Sequence, residues 1–362
     1  MTNLLEQAVQ DTVRNEEWKY TNVLHLLKNN YSAIPRTEPA SVPAAEADTI
    51  VVENGVVTRL CDGATVEPTI TRHDAVRSTA TASPFYTLNA SAALYTVQVV
   101  VPANTRRTRH VTVKIVSTSA NANQFDAVRL RIVTMPGAEA VVHEVHEGGG
   151  AAQTLNITVT ELVAHAGSVL EYVKKTQLPD NARHIGITLA SVKANARVTT
   201  HTLCTGGPLV RNDLYVRLEE PGAEAYLNGL SVIGGHDHAD NHTAVDHLAP
   251  HCHSDQLYKG IYHDASVGVF SGRIFVRPDA QKTTAYQSNR SLLIGDRAKV
   301  NSKPQLEIWA DDVKCSHGAT TGQLDAEALF YLRSRGLSLR QATDLLLDAF
   351  AAEMYNRLPS EQ

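Results

Sequence analysis

The sequence is poor in aromatic residues and in cysteine. Its 362 residues include 2 Trp, 6 Phe and 12 Tyr, so aromatic side chains make up only 6% of the chain. With so few rings and much Val and Thr, the core is expected to consist of β-branched residues stacked in layers. The four cysteines, Cys61, Cys204, Cys252 and Cys315, are widely spaced and form no CxxC pair. This spacing argues against a disulfide framework and favours free thiols in a reducing compartment.

Several signatures of other protein classes are missing. No basic segment followed by an apolar stretch is visible near the start, and no run approaches the roughly 18 apolar residues of a membrane span. The formal net charge of −5 argues against the overall basic field of a protein that binds nucleic acid or anionic membranes. There is no GxxxxGK[ST] phosphate loop, no GxGxxG turn and no HExxH metal motif. We therefore expect a cytoplasmic protein without a nucleotide site of its own.

The character of the sequence divides the chain into three parts. Residues 1–85 are expected to form a helical and irregular N-terminal segment. Residues 86–318 form a mainly β core, in which short Val-, Ile- and Thr-rich segments are separated by turns. No amphipathic helix of three turns interrupts this core, so parallel βαβ units are not expected. Residues 319–362 are expected to form a small C-terminal module of two helices.

A weak internal repeat indicates how the core strands are arranged. The segment PGAEA occurs at residues 136–140 and again at 221–225. Together with two fainter echoes, it gives separations near multiples of roughly 28 residues, which lies in the range of solenoid repeats. In a β-helix, each coil buries its inward Val, Ile and Leu by stacking on the next coil. A β-sandwich is the alternative, but the repeat and the scarcity of aromatic residues favour the β-helix.

The C-terminal residues carry strong helix signals. Asp325 is suited to cap a first helix, and Gly336 stands where a left-handed residue would end it. Ser338 and Gln341 form the pattern of a capping box that starts a second helix with one apolar face. These helices either cap the open edge of the solenoid or provide a docking surface, and the pattern alone does not distinguish the two.

Histidine is concentrated in one stretch of the core. The chain has 16 His, and those between residues 236 and 263 are interleaved with aspartates and one cysteine. Imidazole and carboxylate are good ligands for zinc, iron or nickel, so this stretch is a candidate metal centre. The alternative is that these histidines lie at surfaces and corners and hydrogen-bond to the backbone. The histidines are His236, His238, His242, His247, His251, His253 and His263, and the interleaved residues are Asp237, Asp240, Asp246, Cys252, Asp255 and Asp264.

Cys315 and His317 are a second candidate for chemistry. They lie two residues apart, just after the last predicted strand, and are followed by Gly318. A thiolate and an imidazole so placed can converge on one metal ion or sulfur species, or act as a nucleophile pair. An inert, buried thiol is the alternative for Cys315.

Eight segments of the chain match one family pattern. They are residues 17–21 (EWKYT), 240–243 (DNHT), 250–252 (PHC), 258–260 (YKG), 281–283 (QKT), 311–320 (DDVKCSHGAT), 322–325 (GQLD) and 328–336 (ALFYLRSRG). In these segments the sequence resembles the SufB/SufD family of the SUF iron–sulfur cluster assembly machine, and its SufD branch in particular. The match is dense from about residue 227 to about residue 352, and its C-terminal motif is long enough to be specific.

The resemblance implies a right-handed parallel β-helix with small helical N-terminal and C-terminal segments. It also implies that the chain pairs with a SufB-like paralogue through the β-helix and binds a SufC-like ATPase through the C-terminal helices. The isolated chain could instead pair with itself. The expected function is therefore that of a non-catalytic scaffold subunit in a SufBCD-type complex. The residues expected at the partner contact are Asp325, Leu329, Phe330, Arg333, Leu346 and Phe350.

The resemblance also implies a role for Cys315 and His317. In the family, these positions lie where the two paralogues meet, and the histidine is implicated in building the nascent cluster. We expect His317, with Cys315 as a second candidate, to ligate iron of a transient iron–sulfur cluster, with no cluster bound tightly in the isolated chain. SufB-type members carry their nucleophilic cysteine in the region that corresponds to about residues 292–301, where this sequence has none. That absence favours SufD over SufB.

Other interpretations remain open at this point. The chain could be a SufB-type paralogue that acts as the main cluster scaffold, or a metal-dependent enzyme centred on the histidines of residues 236–263. A carbohydrate-active β-helix enzyme is a further alternative. The scarcity of aromatic residues and the absence of a visible leader count against that last one.

Overall fold

The chain forms a parallel β-solenoid of about 8 turns, with 53% of its residues in strands and 16% in helices. The computed structural model describes residues 2–33, 48–61, 63–67, 83–93 and 95–360. The predicted mainly β architecture with a β-helix core and short terminal helices is confirmed. The alternative β-sandwich is wrong, since the core strands pair in parallel from coil to coil.

The bounds of the elements are as follows. The helices are α1 (Thr2–Thr12), α2 (Pro84–Ala92), α3 (Ala326–Ser334) and α4 (Leu339–Tyr355), with short 3-10 helices at Glu16–Trp18 and Leu24–Asn29. The strands are β1 (Ser32–Ala33), β2 (Thr49–Glu53), β3 (Val56–Arg59), β4 (Ala64–Glu67), β5 (Thr96–Val101), β6 (Val111–Ser119), β7 (Gln124–Thr134), β8 (Glu139–Gly150), β9 (Thr154–Ala164), β10 (Val169–Thr176), β11 (Ala182–Val192), β12 (Arg197–Cys204), β13 (Leu209–Leu218), β14 (Glu224–Ile233), β15 (His238–His247), β16 (His253–His263), β17 (Val267–Val276), β18 (Thr284–Ile294), β19 (Lys299–Ile308) and β20 (Lys314–Gly322).

Two sheets face each other across the core. Sheet I runs in the order β19-β17-β15-β13-β11-β9-β7-β5-β4, with β1 pairing on β7, and sheet II runs β20-β18-β16-β14-β12-β10-β8-β6-β2-β3. Each coil of the main solenoid therefore contributes one strand to each sheet. In sheet II, Val169 pairs with Arg197 and Arg197 with Glu224, which is close to the spacing of roughly 28 residues predicted from the repeat.

The interior consists of columns of small apolar side chains, one from each coil. One column in sheet I is fully buried and contains no ring. Because each strand buries only every second residue toward the core, Val, Ile, Leu and Ala can stack in register along the solenoid. The column consists of Ile132, Leu162, Ala190, Val216, Val245 and Ile274.

The repeated PGAEA segment forms equivalent corners of the solenoid. Gly137 and Gly222 both have positive φ, +68° and +72°. A Cβ at Gly137 would lie 2.6 Å from Asn104 Oδ1, and one at Gly222 would overlap Asn195 Oδ1. Glycine is therefore favoured at both corners by the backbone conformation, and a larger residue would also displace the neighbouring asparagine side chain.

The N-terminal segment covers the outer face of sheet I. Trp18 and Phe85 pack together, with ring centroids 5.1 Å apart, in one cluster with the outward side chains of β9 and β11. The helical character predicted for this segment is present as α1 and the two short 3-10 helices. The segment expected to be irregular contains β2, β3 and β4, while residues 36–47 and 68–82 lie outside the described residues.

Helix α2 was not predicted from the sequence. It begins at Pro84, and its two apolar anchors, Phe85 and Leu88, are buried against sheet I. The side-chain amide of Asn89 donates to the carbonyls of Val128 and Ile157, at 2.9 and 2.8 Å. Tertiary contacts thus stabilise a short helix whose sequence shows little helical periodicity.

Candidate functional site at the open end

In the last coil of the solenoid, two strand edges have no neighbour among the residues that the structure describes. Strand β19 is the terminal strand of sheet I and β20 that of sheet II. Ile308, the last residue of β19, and Trp309, which follows it, expose 40% and 50% of their surface. An exposed strand edge is a ready template for pairing with another chain. This open end is therefore the part of the solenoid best suited to contact a partner.

Cys315 and His317 lie within β20, which corrects the prediction that they follow the last strand. They pair with Ala285 and Gln287 of β18, whose side chains are buried in the core. Residues two apart on a strand share one face, so both point toward the inner side of sheet II. This strand was not predicted from the sequence because Gly, Ser and Thr dominate it. Backbone pairing with β18 stabilises the strand although its composition does not favour one.

The two side chains have different environments. Cys315 is half-buried against a cluster that includes Ile274 and Ala285, and burial raises the pKa of its thiol. His317 is exposed, because β20 is the terminal strand of sheet II and no further coil of the described chain covers it. At neutral pH the thiol is thus held in its neutral form, whereas the imidazole is accessible from the open end. Of the two, His317 is the more available ligand.

The seven histidines between residues 236 and 263 do not converge on one centre. His238 and His242 lie on the outer face of sheet I, whereas His247 donates to or accepts from Ser254 inside the core at 2.9 Å. His251 occupies a turn with φ of 61°. Among the residues that the structure describes, no group of three or more His, Cys, Asp or Glu is placed to hold a metal ion. The hypothesis of a metal centre in this stretch is therefore wrong, because alternating strand faces and turns separate the side chains.

Two of the family-like segments, residues 17–21 and 240–243, form a clasp between the N-terminal segment and sheet I. The Arg211 guanidinium lies 3.7 Å from the ring centre of Trp18 and donates to the Glu17 carbonyl at 3.0 Å. It also pairs with Asp240 at 2.6 Å, and His242 lies 3.0 Å from the same carboxylate. These buried contacts fix the N-terminal segment on the solenoid.

The contacts of the clasp shift the pKa values of Asp240 and His242. Burial would raise the pKa of Asp240, but His242 and Arg211 outweigh it and hold that pKa below its usual range. Burial and Arg211 disfavour the protonated form of His242, but Asp240 and Glu17 outweigh them and raise its pKa. His242 therefore has a structural role, and its match to the family pattern does not mark a metal site.

The C-terminal helices are capped as the sequence predicts. The Asp325 carboxylate accepts hydrogen bonds from the backbone of Glu327 and Ala328, at 2.8 and 3.3 Å. Ser338 and Gln341 form a complete capping box, and Gly336 has a φ of 95°. These caps let α3 begin only a few residues after β20 ends, and α4 then packs on the outer face of sheet II.

Helices α3 and α4 differ in how they contact the solenoid. Leu347, Ala351 and Met354 of α4 pack on the outer face of sheet II, and the Lys259 ammonium donates to the Phe350 carbonyl at 2.9 Å. Helix α3, in contrast, buries none of its residues. The pair is thus anchored through α4 and presents α3 to solvent.

The residues expected at the partner contact are divided between these two roles. Phe330 exposes 76% of its surface, and Arg333 is exposed beside it on α3. Leu329 and Leu346 are half-buried, Asp325 caps α3, and Phe350 packs against the cluster under α4. The sequence pattern did not indicate Tyr331 and Leu345, which expose 56% and 49%.

Comparison with known proteins identifies the family. The profile described as SUF system FeS cluster assembly, SufBD core domain, matches residues 115–350. The iron–sulfur cluster assembly protein SufD of Escherichia coli is 30% identical over 97% of this chain and 86% of its own length. A SufBD family protein of Synechocystis is 30% identical over 76% of this chain, which covers 62% of that relative. A SufBD family protein of Mycobacterium tuberculosis is 29% identical over 95% of this chain and 84% of its own length.

No helix in the described parts of the chain is long and apolar enough to cross a membrane. The family profile covers the solenoid from β6 to β20 and continues into α4, so it includes the open end and the anchored helix. On the strength of this match and of its similarity to SufD along nearly the whole chain, the protein belongs to the SufBD family of the SUF iron–sulfur cluster assembly system and is SufD-like.

Proposed function

We propose that this protein is a non-catalytic, SufD-type scaffold subunit that assembles iron–sulfur clusters in the cytoplasm together with a SufB-like paralogue and a SufC-like ATPase. The observation that carries the proposal is the open end, where β20 has one unpaired edge, bears the exposed His317 and is followed along the chain by the exposed helix α3. Similarity to SufD of Escherichia coli, an iron–sulfur cluster assembly protein, supports the same function.

The unpaired edges support association with a paralogue of the same architecture. Strands β19 and β20 end the two sheets, and a second solenoid could continue both of them across the contact. Pro304 lies within β19 and lacks a backbone N–H, so β20 offers the more complete row of hydrogen-bonding groups. We therefore place the main backbone pairing with the partner along β20.

His317 is proposed to ligate iron of the transient cluster, which is cargo passed on by the complex. A neutral imidazole is a good iron ligand, and its position on the inner side of the last strand directs it toward the contact. Cys315 is the second candidate, although burial favours its neutral thiol. Deprotonation by bound iron would be needed before the Cys315 sulfur could act as a ligand.

The helical pair is proposed to dock the ATPase. Phe330 and Tyr331 on α3, with Leu345 on α4, are large apolar side chains that remain exposed. Apolar and aromatic side chains exposed together mark a protein contact, and Arg333 adds a charged group at its edge. The anchoring of α4 by Lys259 would transmit movement of this pair to sheet II.

The first experiment is co-expression with SufB-like and SufC-like subunits, followed by the mass of the purified complex and its cluster content. His317→Ala should leave the complex intact and abolish cluster output. His236→Ala is the matched control, since His236 is an exposed histidine in a turn away from the open end. Wild-type output from the His317 variant would contradict its role.

The second experiment tests the helical pair. Phe330→Asp should remove the ATPase from the purified complex while the SufB-like subunit stays bound. The control is Tyr355→Asp, at the far end of α4, which also replaces an exposed ring. Retention of the ATPase by the Phe330 variant would show that α3 is not its docking surface.

A further inference from the structure

A column of polar side chains leads from the core to His317. On the inner side of sheet II, Gln256 of β16 pairs with Gln287 of β18, and Gln287 pairs with His317 of β20. Both glutamines are buried, with exposures of 0% and 3%. A buried amide must find hydrogen-bond partners within the protein, because water is excluded from it. The hydrogen-bond partners of these two amides therefore show which of their polar atoms are still available to His317.

The inner end of the column is fixed by hydrogen bonds. The Thr243 hydroxyl donates to Gln256 Oε1 at 2.7 Å, and Gln287 Nε2 donates to the same oxygen at 3.4 Å. Gly272 makes room for the Gln287 amide, since a Cβ there would overlap Gln287 Nε2. The Gln287 Nε2 group thus already donates a hydrogen bond within the core.

The oxygen side of the same amide is free to accept. Gln287 Oε1 is buried and accepts no hydrogen bond from any residue that the structure describes. The neighbouring residue in register on β20 is His317, and adjacent strands lie only about 4.8 Å apart. A neutral imidazole carries one N–H donor and one lone pair, so the two residues have complementary groups.

We propose that Gln287 is a positioning residue for His317: rotation of the exposed His317 ring toward the core lets its N–H donate to the unpartnered Gln287 Oε1, which leaves the second ring nitrogen free to face the open end. This inference rests on the proposed function, in which His317 ligates iron. Metal-ligating histidines commonly donate their other ring N–H to an oxygen acceptor, which selects the tautomer and orients the ring. The hydrogen bonds from Thr243 of sheet I to Gln256, and from Gln287 to Gln256, would provide that support here.

No other inward residue of β18 is equivalent. Asn289 and Ser291 also carry buried side-chain oxygens without a partner among the described residues, but they pair with Ala319 and Thr321. Neither of these β20 side chains has a ring nitrogen. Cys315 pairs with Ala285, which has no polar side-chain atom. The inference is therefore specific to the pair of Gln287 and His317.

The test measures the tautomer of His317 in the full chain without iron. Histidine is labelled with 15N, the His317 signals are assigned with His317→Ala, and the ring-nitrogen shifts are recorded at a pH where the ring is neutral. In the wild type we expect one tautomer to predominate. Gln287→Met, which keeps the length but removes the acceptor, should shift the ratio toward that of a histidine side chain in water. Gln287→Glu, which keeps an acceptor oxygen, should retain the single tautomer.

The control is Asn289→Leu, on the same strand and face, which should leave the tautomer of His317 unchanged. A mixed tautomer in the wild type, or an unchanged one in Gln287→Met, would overturn the inference. If Gln287→Met does not fold, a mixed tautomer in the folded Gln287→Glu protein would overturn it instead.

A second readout separates this inference from the proposed function. In the assembled complex, Gln287→Met should reduce cluster formation about tenfold or more, as expected for loss of a group that supports a ligand, and Gln287→Glu should restore part of it. If His317→Ala leaves cluster output unchanged, the proposed function fails whatever the tautomer is. If His317→Ala abolishes output but the tautomer does not depend on Gln287, only the positioning role fails.

Discussion

The middle and the end of the solenoid both carry polar side chains on the inner side of sheet II, but with opposite consequences. In the middle, Glu144 is fully buried and accepts hydrogen bonds from Thr160 and Tyr172, each at 2.6 Å. It also lies 2.6 Å from His146 and 3.8 Å from the Lys174 ammonium. At the end, His317 occupies the same side of the same sheet and is exposed. The two residues differ because further coils cover Glu144, whereas His317 lies on the last described strand.

This comparison shows why a polar residue in the core is not by itself a functional residue. Burial alone would raise the pKa of Glu144, yet Lys174 and His146 outweigh it and lower that pKa to about 2. Burial lowers the pKa of both His146 and His184, so these rings remain neutral. The middle cluster is therefore one internally neutralised ion pair with neutral histidines around it. It holds the coils together and has no access to a substrate.

The largest effect is expected from breaking this ion pair. Lys174→Ala leaves the Glu144 carboxylate buried without its countercharge, and we expect it to lower the free energy of unfolding by about 3–5 kcal/mol. The measurement is denaturant unfolding at neutral pH. Lys114→Ala is the control, because Lys114 pairs with Glu147 at 3.2 Å on the exposed surface, and it should change stability by about 0–1 kcal/mol. Equal effects of the two variants would contradict the distinction between buried and exposed pairs.

The next largest effect is a pH dependence in the same part of the core. Burial raises the pKa of Asp126 from 3.8 to about 6, although Asn156 and Ser117 donate to its carboxylate at 2.6 and 2.9 Å. The folded chain thus retains a proton that the unfolded chain has released. This contribution to stability is complete below about pH 4 and is lost as the pH rises through about 6.

Replacing Asp126 by Asn removes this titration. Relative to the wild type, Asp126→Asn should gain up to about 3 kcal/mol of unfolding free energy between pH 4 and pH 7, at about 1.4 kcal/mol per pKa unit. Denaturant unfolding of both proteins at the two pH values measures the gain. A difference between them that stays constant with pH would show that Asp126 does not titrate in this range.

The smallest effect on stability is expected at the open end. Ala319 lies on the inner side of β20 and is exposed, so Ala319→Asp should change the free energy of unfolding by no more than about 0.5 kcal/mol. The same substitution at Thr202, a buried residue in the same register column, should destabilise the chain strongly, because it buries an unpaired charge. Ala319→Asp should nevertheless prevent co-purification with a SufB-like subunit. Normal co-purification would mean that the inner side of β20 does not face the partner.

Much of the architecture could be predicted from local patterns. The PGAEA corners, the Val- and Ile-rich strands and the caps at Asp325 and Ser338 depend on neighbouring residues, and all appear in the structure. Strand β20 and helix α2 could not be predicted in this way. The composition of each segment gives little sign of its secondary structure. Strand β20 is formed by backbone pairing with β18, and helix α2 is stabilised by packing on the outer face of sheet I, which is distant in sequence.

The histidines show the same division at the level of the candidate site. The sequence indicated a concentration of imidazoles between residues 236 and 263, but strand alternation sends His242 to the N-terminal clasp and His247 into the core. The two clasp segments are more than 200 positions apart in the chain, as shown by the contact between Thr21 and Asp240. Spacing along the sequence cannot reveal such a contact. For this reason, histidines with structural roles looked like metal ligands in the sequence.

The sequence by itself determined that the chain forms stacked coils with helices at both ends, because strand alternation, corner glycines and helix caps are set by nearby residues. Only the tertiary structure decided which inward polar groups are neutralised in the core and which are left at the surface. Glu144 and His317 differ in this respect because one is covered by further coils and the other lies on the last strand. Burial is a property of the complete stack, and no segment of the sequence contains that information alone.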